Sequence, residues 1–181
     1  HLGVAQVVEQ VVHDLERDAH LFPERAVAQA ALAISPPAVQ AGTELGGKFP
    51  RQSAVLKPIM EGYGLKIISG WYDGRCCERE VSAEMDAIMP HLQLLKDMGS
   101  THVVYADTSR GRHGAIWDPI SKRPALSPEE WPGYGRRLTE LAERMADFGV
   151  GMAFHHHMGT IVETDAEVDL LMKHTGKAVG L

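Results

Sequence analysis

From residue 42 onward, short apolar runs alternate with stretches whose apolar residues recur every three or four positions. Residues 42–47 (GTELGG), 65–71 (LKIISGW), 101–107 (THVVYAD) and 150–157 (VGMAFHHH) have the length and composition of strands. Between them, residues 52–61 are helix-like. Val81, Met85, Ile88, Met89, Leu92, Leu95 and Met98 line one face of a long helix, with Pro90 a predicted kink and Gly99 its end. Ser127-Pro128-Glu129-Glu130 is a helix start with a predicted capping box, and Trp131, Leu138, Leu141, Met145 and Phe148 carry that helix to Gly149. A second capping box, Thr164 to Glu167, opens a helix with Val168, Leu171 and Met172 inward, and residues 178–181 begin a fifth strand. This alternation predicts βαβ units and a parallel α/β sheet. It leaves two architectures open, a doubly wound sheet and a (β/α)8 barrel. No GxGxxG or GxxxxGK[ST] follows any strand, which removes the main support for a nucleotide-binding sheet.

The first 41 residues read differently. Val4, Val7, Val8, Val11, Val12 and Leu15 predict a helix over residues 3–21, a second piece covers 24–34, and Pro36-Pro37 breaks the pattern. The expected organisation is an atypical helical segment, 1–41, followed by a partial (β/α) barrel domain, 42–181. The 181 residues allow one domain, and the 44% apolar fraction is enough for a core. No apolar run approaches the ~20 residues of a membrane span. A net charge of −6 lacks the positive footprint that nucleic acid requires. The only two cysteines, Cys76 and Cys77, are adjacent, so no disulfide framework is expected. With no secretory signal in view, a cytoplasmic location follows as the expectation.

Polar residues gather at the C-terminal ends of the predicted strands, where a barrel keeps its active site. His155 and His157 alternate along a strand and should point together, with His156 opposite; neutral imidazoles are common metal ligands. Glu44 can act as a base or ligand and Lys48 can stabilise an oxyanion, although an ordinary surface ion pair explains both equally well. Asp107 ends its strand as a ligand, base or cap. Trp71, with Tyr72, can floor a sugar-like ligand or simply pack. Residues 108–126 are too long for a plain connection and suit a lid that offers Arg110, Arg112 and His113. Cys76 and Cys77 read as packing residues or incidental thiols.

These residues carry a resemblance. GTELGGKFPR (42–51), ISGWYDGR (68–75), HLQLLKDMG (91–99), VVYADTS (103–109) and FHHHMGTIVET (154–164) with DLLM (169–172) resemble the myo-inosose-2 dehydratases, members of the xylose isomerase-like TIM barrels. The resemblance covers residues 42–181. It implies a hydro-lyase of inositol catabolism that converts 2-keto-myo-inositol to a trihydroxycyclohexane-dione with Mn²⁺ or Co²⁺. By position it implies His155 and His157 as metal ligands, Glu44, Lys48 and His156 as catalytic groups, and Trp71, Asp107 and His113 as substrate-binding residues, without settling which residue is the base. It also implies that residues 42–181 hold strands two to five and the start of strand six of a barrel of ~250 residues, with further metal ligands beyond Leu181 and little activity in this chain alone. Two other readings stand beside it: a sugar or inosose isomerase or epimerase of the same superfamily, and a non-catalytic piece that acts through association, its sheet edges hidden in a homo-oligomer.

Overall fold

A computed structural model describes residues 41–112, 117 and 119–181. The helices expected over residues 3–21 and 24–34, and His113, lie outside the described residues. Among the described residues, five strands and four helices follow one another: β1 (Ala41–Leu45), α1 (Ser53–Gly62), β2 (Leu65–Gly74), α2 (Val81–Asp97), β3 (His102–Asp107), α3 (Trp131–Phe148), β4 (Gly151–Phe154), α4 (Asp165–His174) and β5 (Val179–Gly180), with a 3-10 turn at Ile120–Lys122.

Every strand pairs in parallel with its sequence neighbour, in the order β1-β2-β3-β4-β5. That order decides between the two architectures left open by the sequence. A doubly wound sheet reverses its strand order at a switch point. An unreversed parallel order is an arc of a (β/α) barrel, with the helices outside and the other face turned toward the barrel interior.

The helices bury their apolar stripes against the outer face of this arc. Leu56 of α1, Ile88, Leu92 and Leu95 of α2, and Leu138, Leu141 and Met145 of α3 are fully buried there, with Val103 and Tyr105 of β3. Each such side chain contributes about 2 kcal/mol of transfer free energy. The inner face is half open: Ile68 is 58% exposed, and Val104 and Ala153 are half-buried.

Local signals are realised unevenly. Around α4 the capping box forms in full: Thr164 accepts from the Glu167 N–H while the Glu167 carboxylate accepts from the Thr164 N–H. Met172 of this helix is exposed rather than inward. Around α3 half of the expected box forms, ahead of the helix. The Glu130 carboxylate does accept from the Ser127 N–H at 2.8 Å, but it also takes Arg110, and residues 128–130 form a turn. The helix starts at Trp131, with Pro132 in its first turn. The long α2 runs unbroken past Pro90.

Candidate functional site

Pleat parity identifies the residues that meet inside the arc. Tyr105 and Asp107 face the helices, so Val104 and Ala106 face inward. Register places Trp71 beside Val104, and Asp73 beside Ala106. Val104 is in turn beside Ala153, and the His155 N–H donates to the Tyr105 carbonyl at 2.9 Å. The inner face at the C-terminal end of the sheet therefore carries Glu44, Ser69, Trp71, Asp73 and His155, with His157 just beyond.

The side chains meet as the backbone predicts. The Trp71 indole lies edge-on to both His155 and His157, with ring centroids 5.1 and 5.4 Å away. The two imidazoles are 5.8 Å apart. The Trp71 indole N–H donates to Asp73 Oδ1 at 3.0 Å, and the Ser69 hydroxyl donates to Glu44 Oε1 at 3.2 Å. Partial burial, reinforced by His157 and His156, lowers the His155 pKa; Glu44 opposes the shift but does not cancel it. His155 is thus held neutral near pH 7, with a lone pair to offer.

Although His155 and His157 share a side as expected, β4 ends at Phe154, so the histidines lie on the loop after the strand. His156 is exposed, its ring stacked on His155 at 5.9 Å. His157 is tied into a tight turn: its N–H donates to the Val162 carbonyl, and its own carbonyl accepts from the Thr160 hydroxyl at 2.7 Å. Its Nδ1 lies 2.8 Å from the Met158 carbonyl. A carbonyl accepts only from a protonated ring nitrogen, so Nδ1 carries a hydrogen. Lys48 is exposed in the turn after β1.

Asp107 is not brought to this face. It shares parity with Tyr105, is 1% exposed, and accepts from the backbone N–H groups of Cys77 at 2.8 Å and Ser109 at 3.0 Å. Its carboxylate anchors backbone beneath the helices, away from the substrate-binding position expected of it. Tyr72 likewise faces outward, stacked on Tyr105. Burial, with Asp107 nearby, pushes both thiols up, Cys77 to about 11 and Cys76 higher, so neither is a nucleophile at neutral pH. Ser69, in the polar run 69–71 at the strand's C-terminal end, and Asp73 both lie within ISGWYDGR, but the sequence assigns neither a role. What joins them to the cluster is parity with Trp71 along the strand.

The His155 and His157 imidazoles, their rings oriented side by side against Trp71, fit as part of a divalent-metal donor set. Among the described residues, no group of three or more His, Cys, Asp or Glu side chains is placed to hold a metal on its own.

No protein-family model matches the chain. The rhizopine catabolism protein MocC of Rhizobium meliloti is 70% identical over 141 residues, which is 78% of this chain and 43% of that protein. The inosose dehydratase of Erwinia tasmaniensis is 32% identical over 134 residues, 74% of this chain and 45% of that enzyme. The chain is a homologue of the inosose dehydratases. It spans less than half the length of the curated relatives it matches. A xylose isomerase-like TIM barrel protein from Mycobacterium smegmatis, solved in complex with magnesium, superposes with a TM-score of 0.58 at 16% identity, covering 89% of this chain and 56% of that one. That likeness agrees with the sequential parallel sheet: the fold is part of a xylose isomerase-like barrel.

Proposed function

We propose that the protein carrying this chain is a hydro-lyase that removes water from 2-keto-myo-inositol to give a trihydroxycyclohexane-1,2-dione. The observation that carries this reading is the 32% identity to an inosose dehydratase over 134 residues, taken with the Glu44–Trp71–His155–His157 cluster at the C-terminal end of the sheet. Dehydration next to a ketone requires removal of the proton on the α-carbon, stabilisation of the enolate oxygen, and protonation of the departing β-hydroxyl. Glu44, Lys48 and His156 are the groups proposed for those proton transfers. Trp71 offers an apolar ring face to the C–H face of a cyclic polyol. His155 and His157 are proposed as two ligands of a divalent ion, Mn²⁺ or Co²⁺. When bound, that ion supplies a Lewis acid for the enolate oxygen. The buried free thiols and the acidic charge suit a cytoplasmic enzyme acting on a small molecule rather than on nucleic acid or membrane.

A second reading concerns the substrate alone. Identity to MocC is 70%, against 32% to the dehydratase. This favours a compound met in rhizopine catabolism as the preferred substrate.

The purified full-length protein, loaded with Mn²⁺ or Co²⁺, is expected to generate the dione chromophore from 2-keto-myo-inositol, with at least a 100-fold loss in Glu44→Gln if Glu44 is the base, on the order of a general base's contribution. A stereoisomeric ketone formed without loss of water would move the assignment to an epimerase. No product at all would remove the keto-inositol reading.

A further inference from the structure

β2 does not keep one pleat phase along its length. Ile67 is buried, whereas Ile68 is 58% exposed on the inner face. Gly70 again faces outward, where a Cβ would meet Leu45, His91 and Leu95 at 3.0 Å. Two consecutive residues, Ile68 and Ser69, therefore stand between two that face the helices. The register agrees: Thr43 pairs with Ile67, but the next residue, Glu44, pairs with Ser69, leaving Ile68 extra. A single extra residue transfers every later side chain to the opposite face of the sheet. Unbroken alternation from Ile67 would turn Ser69, Trp71 and Asp73 toward the helices. Room for the bulge comes from Gly42, where a Cβ would lie 2.5 Å from Ile68 Cγ2.

We infer that this bulge makes Ser69 a positioning residue for Glu44. The extra residue brings the Ser69 hydroxyl opposite Glu44, and its donation to Oε1 at 3.2 Å holds the carboxylate on the face of Trp71 and His155. An exposed glutamate without such a donor samples several rotamers, and a proton-transfer group must be held in place to act. The inference rests on the role proposed for Glu44 and deepens it by naming what aims that side chain.

The test has a substrate-free arm and a kinetic arm, both on the full-length protein. NMR couplings of the Glu44 methylene protons are expected to report one dominant rotamer in the wild type and averaging in Ser69→Ala. A single unchanged rotamer in Ser69→Ala overturns the inference, whatever the enzyme does. In the kinetic arm, Ser69→Ala is expected to lower kcat about 10-fold, the scale of one hydrogen bond to a charged group, with KM within about two-fold. Ser69→Thr should restore most of the loss, and Ser69→Ala added to Glu44→Gln should cost nothing further. Unchanged kcat in Ser69→Ala, or additive losses in the double variant, also overturns it. If the wild type fails to dehydrate the keto-inositol, the proposed function falls, and the NMR arm still decides whether Ser69 positions Glu44.

Discussion

Glu84 and Asp107 are carboxylates sealed under the helices, and together they hold the turn between β2 and α2. Glu84 accepts from the Arg75 N–H at 3.0 Å, the Tyr105 hydroxyl at 3.0 Å and Arg79 at 2.8 Å. The Tyr105 hydroxyl in turn accepts from the Cys76 N–H, and Asp107 takes the Cys77 N–H. Arg137 then binds the carbonyls of both cysteines. Truncating Glu84 leaves a buried tyrosine hydroxyl and a backbone N–H unsatisfied beside an unpaired arginine. Glu84→Ala is therefore expected to cost about 3 kcal/mol in urea unfolding, while Glu80→Ala, at the helix N-cap, where no side-chain cap bond forms, changes stability by less than about 0.5 kcal/mol. A loss below 1 kcal/mol in Glu84→Ala would show that water replaces the network. At this scale the sequence separates residue types better than residue faces. Three histidines after an apolar run announce themselves. Asp107 looks equally functional at its strand end, yet the strand's alternation directs it outward, and only the burial of Tyr105 two positions earlier reveals which parity is which.

At the scale of elements, helix and strand types are legible because each helix must show the sheet a stripe and each strand is short and apolar. Register is not legible in the same way. Ile67-Ile68-Ser69 reads as one continuous strand, because composition carries no mark of the residue at which the pleat skips. The helix α3 starts beyond the predicted cap, at Trp131, because residues 128–130 form a turn, whereas the box at α4 forms in full. That box is part of a larger clamp. Arg123, from the long segment before α3, reaches Glu167 Oε1 at 2.8 Å, Glu163 Oε2 at 3.3 Å and the Thr160 carbonyl. The clamp thus ties that segment to the loop that carries His157. Burial pushes the Glu167 pKa up, but the Thr164 and Glu163 N–H groups and Arg123 outweigh it and hold it below the usual carboxylate range. A folded-state pKa below the unfolded one gives stabilisation that is complete above about pH 4.3 and is lost as pH falls through the folded value. Scanning calorimetry at pH 7, 5 and 3 should therefore show Glu167→Gln less stable than wild type at pH 7, with the gap narrowing by pH 3. A gap that stays constant across that range would mean the carboxylate's charge contributes nothing to the clamp.

At the scale of the molecule, the described sheet is an arc with two edges: β1 pairs only with β2, and β5 only with β4. A closed barrel has no edges and fills its interior with side chains. Here the inner face exposes Ile68 and leaves Val104 and Ala153 half-covered. Unpaired backbone groups along a parallel edge, next to an open apolar face, favour pairing with another copy. The isolated 181-residue chain is therefore expected to associate in a concentration-dependent way in size-exclusion chromatography with light scattering. Ile68→Lys places a charge on the inner face beside the β1 edge, clear of the helix-facing core. It should shift that equilibrium toward monomer without lowering the melting temperature of the dilute protein by more than about 2 °C, the change that less than about 0.5 kcal/mol produces in a domain of this size. A chain that remains a folded monomer at about 100 μM, well within the range where exposed edges aggregate, would mean that its own residues already cover the edges and the inner face, and the open arc would then not be the surface that drives association.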